Sequence, residues 1–155
     1  YLNLIRDAKQ AVKIPVIAAG GIADARGIKA ALVLGADAVQ MGTAFLATAQ
    51  SNASQDHKDI LFTDKAKYTT LTNVFTGRLS RGIKNRLTEE LKSKGHLLAP
   101  YPLQSKFIGF LKAYPATANS NPDYTSYWAG QSAPLLKHRD AKMLIEGLVA
   151  ELNKL

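Results

Sequence analysis

Apolar and polar positions along residues 2–49 alternate between two periods. Leu2, Ile5, Ala8 and Val12 recur at helical spacing, with Arg6, Asp7, Lys9 and Gln10 between them, so residues 2–12 are predicted to form a helix. Ile14-Pro15-Val16-Ile17-Ala18-Ala19 is a short apolar, β-branched run, the pattern of a strand buried on both faces. Pro15 stands at its start, where a missing N–H matters least. Gly20-Gly21 ends the run. Asp24 then offers an N-cap, Ile28, Ala31 and Leu32 supply one helical face, and Gly35 provides a stop. Ala36 to Met41 reads as a second short strand, broken by Gly42-Thr43, and a further helix is expected from Ala44 to about Ala49. Helix, strand, helix, strand, helix with very short connections predicts an α/β unit with a parallel sheet and helical crossovers.

From Ser51 the pattern loosens. Residues 51–58 are polar and expected to form a loop, and residues 59–76 carry Ile60, Leu61, Phe62, Tyr68, Leu71, Val74 and Phe75 without a clean period. Residues 77–86 are basic and punctuated by glycine, and Leu87 to Lys94 reads as a helix stopped by Gly95. Residues 99–135 hold every proline except Pro15 and most of the aromatic residues. Asp140 caps a final helix with Leu144, Leu148, Leu152 and Leu155 on one face.

Composition narrows the chemistry. The 155 residues are 46% apolar and 21% charged, as in globular proteins, and contain no cysteine. Thiolate nucleophiles, iron–sulfur ligation and cysteine-bound zinc are therefore excluded from this chain. No apolar run is long enough for a membrane helix. The net charge of +8 is regional: residues 64–106 hold nine basic and three acidic residues, and the remainder eleven and nine. Arg78, Arg81, Lys84 and Arg86 could line a nucleic-acid backbone, but no nucleic-acid-binding motif accompanies them, and the expected reading is a solvated basic face. His57, His96 and His138 are expected at the surface, and their separations give no metal spacing.

The informative feature is the pair of strand ends one crossover apart, Ala18-Ala19-Gly20-Gly21-Ile22 and Gln40-Met41-Gly42-Thr43. Glycine lets a ligand approach the backbone, and the helix starts that follow are expected to offer unpaired N–H groups. Two such turns side by side could grip one phosphate, with the Thr43 hydroxyl as a further donor. The alternative for either turn alone is ordinary strand-to-helix turn chemistry.

The segment from Ile14 to Asp24, followed by that from Gly35 to Leu46, resembles the end of an FMN-dependent barrel, and in particular the nitronate monooxygenases (2-nitropropane dioxygenases). Phe75-Thr76-Gly77-Arg78, Arg81 to Arg86, Ala99 to Gln104 and Trp128-Ala129-Gly130-Gln131 extend the likeness over essentially the whole chain. The resemblance implies the C-terminal part of a TIM (β/α)₈ barrel: residues 1–50 as units seven and eight, and residues 51–155 as a mostly helical and irregular segment packing on the barrel. It implies FMN as cofactor, with Gly20, Gly21, Gln40, Met41, Gly42 and Thr43 around its phosphate. Trp128 and Gln131 are implied near the flavin side of the barrel mouth. Tyr101 and Tyr127 could shape a substrate mouth or serve packing, while Tyr114 and Tyr124 are expected to serve packing.

The implied reaction is oxidation of alkyl nitronates by O₂ to a carbonyl compound and nitrite, without NAD(P)H. The family's active-site histidine is expected upstream, leaving no catalytic residue and no metal ligand here. An FMN- and NAD(P)H-dependent enoyl-ACP reductase is the alternative, and a basic nucleic-acid-binding module a remoter one. The expected partners are the small-molecule nitronate, O₂ and the missing N-terminal half of the same protein, in a cytoplasmic setting without nucleic acid or membrane. Two strands cannot close a barrel, so Val16, Ile17, Val39, Met41 and an open strand edge are expected to lack cover.

Overall fold

A computed structural model describes residues 2–113 and 121–155; Tyr1 and Tyr114 lie outside the described residues. The chain forms two compact units, residues 1–62 with 130–155, and residues 63–129. The division differs from the expected boundary at residue 50, because the C-terminal helix belongs with the first unit.

In the first unit the order is α1 (Leu2–Ala11), β1 (Ile17–Ala19), α2 (Ala25–Val33), β2 (Ala38–Gln40), α3 (Thr43–Leu46), α4 (Gln55–Ile60) and, after the return of the chain, α7 (Ala141–Leu152). β1 and β2 pair in parallel, Ile17 opposite Ala38 and Ala19 opposite Gln40. Each end of α2 is fixed by its own chemistry. Gly27 N–H donates to Asp24 Oδ1 at 2.8 Å. At the other end Gly35, at φ +103°, donates to Leu32 O while Ala36 donates to Ala31 O, which is a Schellman closure.

Ala18, Ile28, Ala31, Leu144 and Leu148 are buried together, and Val39, Met41 and Leu152 pack partly against them. α7 thus lies on α2. Its start is held twice: Asp140 Oδ1 accepts from Met143 N–H at 3.0 Å, and Gln50 donates through Nε2 to Asp140 Oδ2 and accepts from Ala141 N–H. Leu155, expected on the same face, is exposed.

The sheet is covered unevenly. Ile17 is 59% exposed and Ile14 68%, while Val16, Val39 and Met41 are half-buried. The expected lack of cover therefore falls mainly on the Ile14–Ile17 side. The polar stretch 51–58 is not all loop: Ser54 caps α4, its Oγ accepting from His57 N–H, and this short helix buries His57 and Lys58. His57 is accordingly not a surface residue. Lys58 is buried because its ammonium donates to the carbonyls of Ala49 (3.1 Å) and Ser51 (2.8 Å). His96 is exposed, and His138 is half-buried against Gly147.

The second unit holds β3 (Thr69–Thr72), β4 (Ser80–Ile83), α5 (Arg86–Glu90) and α6 (Leu103–Ala113). β3 and β4 are antiparallel, with Thr69 opposite Ile83. Residues 127–129 extend the pair: Ile83 N–H donates to Tyr127 O at 2.8 Å, and Ala129 N–H to Arg81 O at 3.2 Å. Asn85 and Thr88 close a capping box on α5. Val74, Phe75, Leu87 and Ile108 form the core, with Tyr124 and Trp128 packed partly against it.

Two close approaches need glycine. A Cβ on Gly82 would stand 2.8 Å from Tyr127 O. At Gly77, where φ is +84°, it would stand 2.6 Å from Tyr101 N and 2.8 Å from Ala99 O. Gly77→Ala is expected to lower the unfolding free energy of the protein by about 2 kcal/mol or more, from strain and backbone overlap together; urea unfolding measures it.

Asp37 ties α1 to the start of β1. Its carboxylate accepts from Lys9 Nζ at 2.6 and 2.7 Å and from Val16 N–H at 2.7 Å, and Asp37 N–H donates to Val16 O. The Lys9 hydrogen bond and then the Val16 N–H hold its pKa below the ordinary 3.8. Since the folded value is the lower one, the stabilisation is present above the ordinary value and fades as pH falls through the folded one. Asp37→Asn is expected to reduce stability at neutral pH and to flatten its decline below about pH 4, as read from melting temperatures across an acid series.

Candidate functional site

Parallel pairing directs the carboxyl ends of β1 and β2 to the same edge, so the two glycine turns leave the sheet side by side. Gly20 (φ +100°) and Gly21 (φ +70°) occupy the left-handed region, which accounts for glycine at both positions. A Cβ on either would meet nothing within 4 Å. Gly42 differs, since its φ of −91° suits any residue, and a Cβ there would also meet open space. Neither the backbone angle nor crowding within the chain requires glycine at 42. An open, side-chain-free surface beside Thr43 is what close approach of a ligand needs.

At the first turn of α2 one N–H is already taken, because Gly27 donates to the Asp24 carboxylate. An anion there would share the turn with that carboxylate. α3 is a four-residue helix in which Leu46 N–H donates to Gly42 O and Ala47 N–H to Thr43 O. Gln40 is exposed at the end of β2, and Met41 turns inward against the core.

A third segment joins the two turns. Gly130 N–H donates to Thr43 Oγ1 at 2.9 Å. A Cβ on Gly130 would lie 3.3 Å from that oxygen and 3.8 Å from Gly21 N. Gly21, Thr43 and Gly130 are thus gathered in one place. Gly130 stands between Trp128 and Gln131, where its only sequence signal is a glycine in that motif, and nothing local indicates a partner 87 positions away.

Gln131 belongs to the first unit and is exposed. Tyr101 and Trp128 belong to the second. Tyr101 is half-exposed beneath the Arg78 guanidinium, 4.2 Å above its ring. Trp128 packs edge-on to Phe75, with 5.7 Å between ring centroids. Among the described residues no three His, Asp or Glu side chains are grouped to hold a metal ion, and no helix is long and apolar enough to cross a membrane.

Comparison with known proteins bears on this arrangement. The family model for nitronate monooxygenase matches residues 1–151. The chain belongs to the nitronate monooxygenase family. A probable nitronate monooxygenase of Staphylococcus saprophyticus is 39% identical over 154 residues, covering 99% of this chain and 43% of that protein. One from Staphylococcus aureus is 38% identical over 155 residues, with the same coverage.

Among solved structures, nitroalkane oxidase from Streptomyces ansochromogenes superposes with a TM-score of 0.86 at 39% identity, over 99% of this chain and 43% of that one. FabK from Thermotoga maritima gives 0.77 at 30% identity, over 99% and 49%. The chain therefore spans less than half the length of the relatives it matches.

Asp24→Ala is expected to cost about 1 kcal/mol through loss of the α2 cap, measured by denaturant unfolding. Asp24→Asn, which preserves an accepting oxygen, is expected to recover most of that loss.

Proposed function

We propose that this chain supplies the phosphate end of an FMN site in a flavoenzyme that oxidises alkyl nitronates with O₂ to a carbonyl compound and nitrite. The observation that carries the reading is the meeting of Gly21, Thr43 and Gly130 beside Gly42, where no side chain intrudes. Family membership and the likeness to a nitroalkane oxidase support the substrate class. When bound, FMN supplies the redox chemistry of the reaction.

The residues of this chain bind and orient. The turn N–H groups at Gly20 and Gly21, the backbone at Gln40 to Thr43 and the Thr43 hydroxyl would hold the phosphate. Glycine at 20, 21 and 42 leaves room for the phosphate against the backbone. Gln131, in the same unit as the two turns, would border the flavin or substrate mouth.

In this reading residues 1–50 are the last two βα units of a barrel. The apolar side at Ile14 and Ile17 is then covered by strands supplied by the N-terminal part of the same protein, and that part also carries the catalytic base. The shared length of the relatives supports such a part, since this chain accounts for 43% of them.

The likeness to FabK supports a second reading, an FMN- and NAD(P)H-dependent enoyl-ACP reductase. Anaerobic mixing of the whole enzyme with NADH or NADPH separates the two. Slow or absent bleaching of the flavin, together with nitrite release from a nitronate in air, is expected for the first.

The visible spectrum of the full-length protein tests the cofactor: oxidised-flavin bands and release of FMN on denaturation are expected. A parent protein that stays colourless after FMN is added would sink the reading. Gly42→Ala is expected to leave the melting temperature of the flavin-free protein nearly unchanged, because its φ and surroundings tolerate a methyl group. The same variant is expected to lose FMN affinity by about tenfold or more, since the methyl group occupies the approach.

A further inference from the structure

We infer that Gly130 is a positioning residue for the flavin phosphate: its N–H sets the Thr43 hydroxyl as a donor toward the phosphate, which favours FMN over riboflavin. The inference rests on the FMN reading above and concerns how this chain's own residues discriminate the phosphorylated cofactor.

A threonine hydroxyl has one hydrogen and two lone pairs, so it donates or accepts as its neighbours require. A backbone N–H only donates. Because Gly130 N–H points at Thr43 Oγ1 from 2.9 Å, the hydroxyl accepts on that side and its hydrogen must be directed elsewhere. A phosphate oxygen only accepts. The pairing therefore leaves Thr43 matched to an anion, and the N–H to hydroxyl to phosphate chain polarises each hydrogen bond in the same sense.

Gly130 itself is held in place. Its carbonyl accepts from Ala133 N–H at 3.1 Å, and the next turn closes through Leu135 N–H to Ser132 O at 2.9 Å, with Ser132 buried. The missing Cβ serves the same purpose. A methyl group would stand 3.3 Å from Thr43 Oγ1, closer than ordinary contact, and 3.8 Å from Gly21 N, on the side where the two turns face each other. A side chain at 130 would push at the hydroxyl it orients and crowd the N–H of Gly21.

The test uses the full-length protein stripped of flavin and titrated with FMN and with riboflavin, following the quenching of flavin fluorescence. Gly130→Ala is expected to weaken FMN by about tenfold, the size of one hydrogen bond to a charged group, and to leave riboflavin affinity unchanged. Thr43→Val is expected to do the same and Thr43→Ser to retain the parent ratio. Gly130→Ala combined with Thr43→Val should be no worse than Thr43→Val alone, because both remove one chain of hydrogen bonds.

Equal loss of both flavins in Gly130→Ala, or a parent-like ratio, would overturn the inference while leaving the FMN reading intact. A parent that binds the two flavins equally, or neither, would remove the FMN phosphate reading itself. Should Gly130→Ala fold poorly, hydrogen exchange at the Gly130 amide of the parent decides. Slower exchange with FMN than with riboflavin, absent in Thr43→Val, is expected, and equal exchange with either flavin would overturn the proposal.

Discussion

The parallel pairing of Ile17–Ala19 with Ala38–Gln40 is the constraint on which the rest of the first unit depends. Parallel strands cannot be joined by a hairpin, so α2 must carry the chain back, and both strands then end at the same edge. The two glycine turns are neighbours for that reason alone. Strong punctuation of α2 keeps the crossover short: a carboxylate cap at one end and a left-handed glycine at the other. Asp37 reinforces the register by holding Val16 through both its backbone and its side chain.

Much of this was legible in the sequence because it is local. Residues 2–49 announce their helices and strands through period, capping and glycine, and the observed elements fall within the expected ranges except α3, which starts one residue earlier at Thr43 and already ends at Leu46. The final helix was readable from Asp140 and its leucine stripe. What was not legible rests on long-range chemistry. α4 is six residues with polar sequence, and it buries Lys58 only because carbonyls of residues 49 and 51 accept from its ammonium. α6 lies in a stretch marked in the sequence only by its prolines and aromatics, and its helix begins just past Pro102. The boundary of the units was hidden because Gln50 and Ala49 bind residues 139–141, some ninety positions on.

The candidate site divides in the same way. Gly20 and Gly21 are explained by φ, and their role as turn residues follows from the sequence with little else. At the start of α2 the residue that makes the best cap also takes one of the N–H groups, that of Gly27. Gly42 and Gly130 are the positions where the three-dimensional arrangement adds chemistry. One is a glycine with no conformational need, and the other approaches two turns at once.

Thr43 leaves the ribosome 87 residues before the amide that binds its hydroxyl. Residues 63–129 are made between the two parts of the first unit. Through that interval the strand-and-turn scaffold is present without its third wall, and α7, which covers α2, comes later still. Closing a loop of this size adds little entropy cost over a shorter one, because the penalty grows only logarithmically with length. The surface where Gly21, Thr43 and Gly130 meet is therefore an assembly of early and late chain.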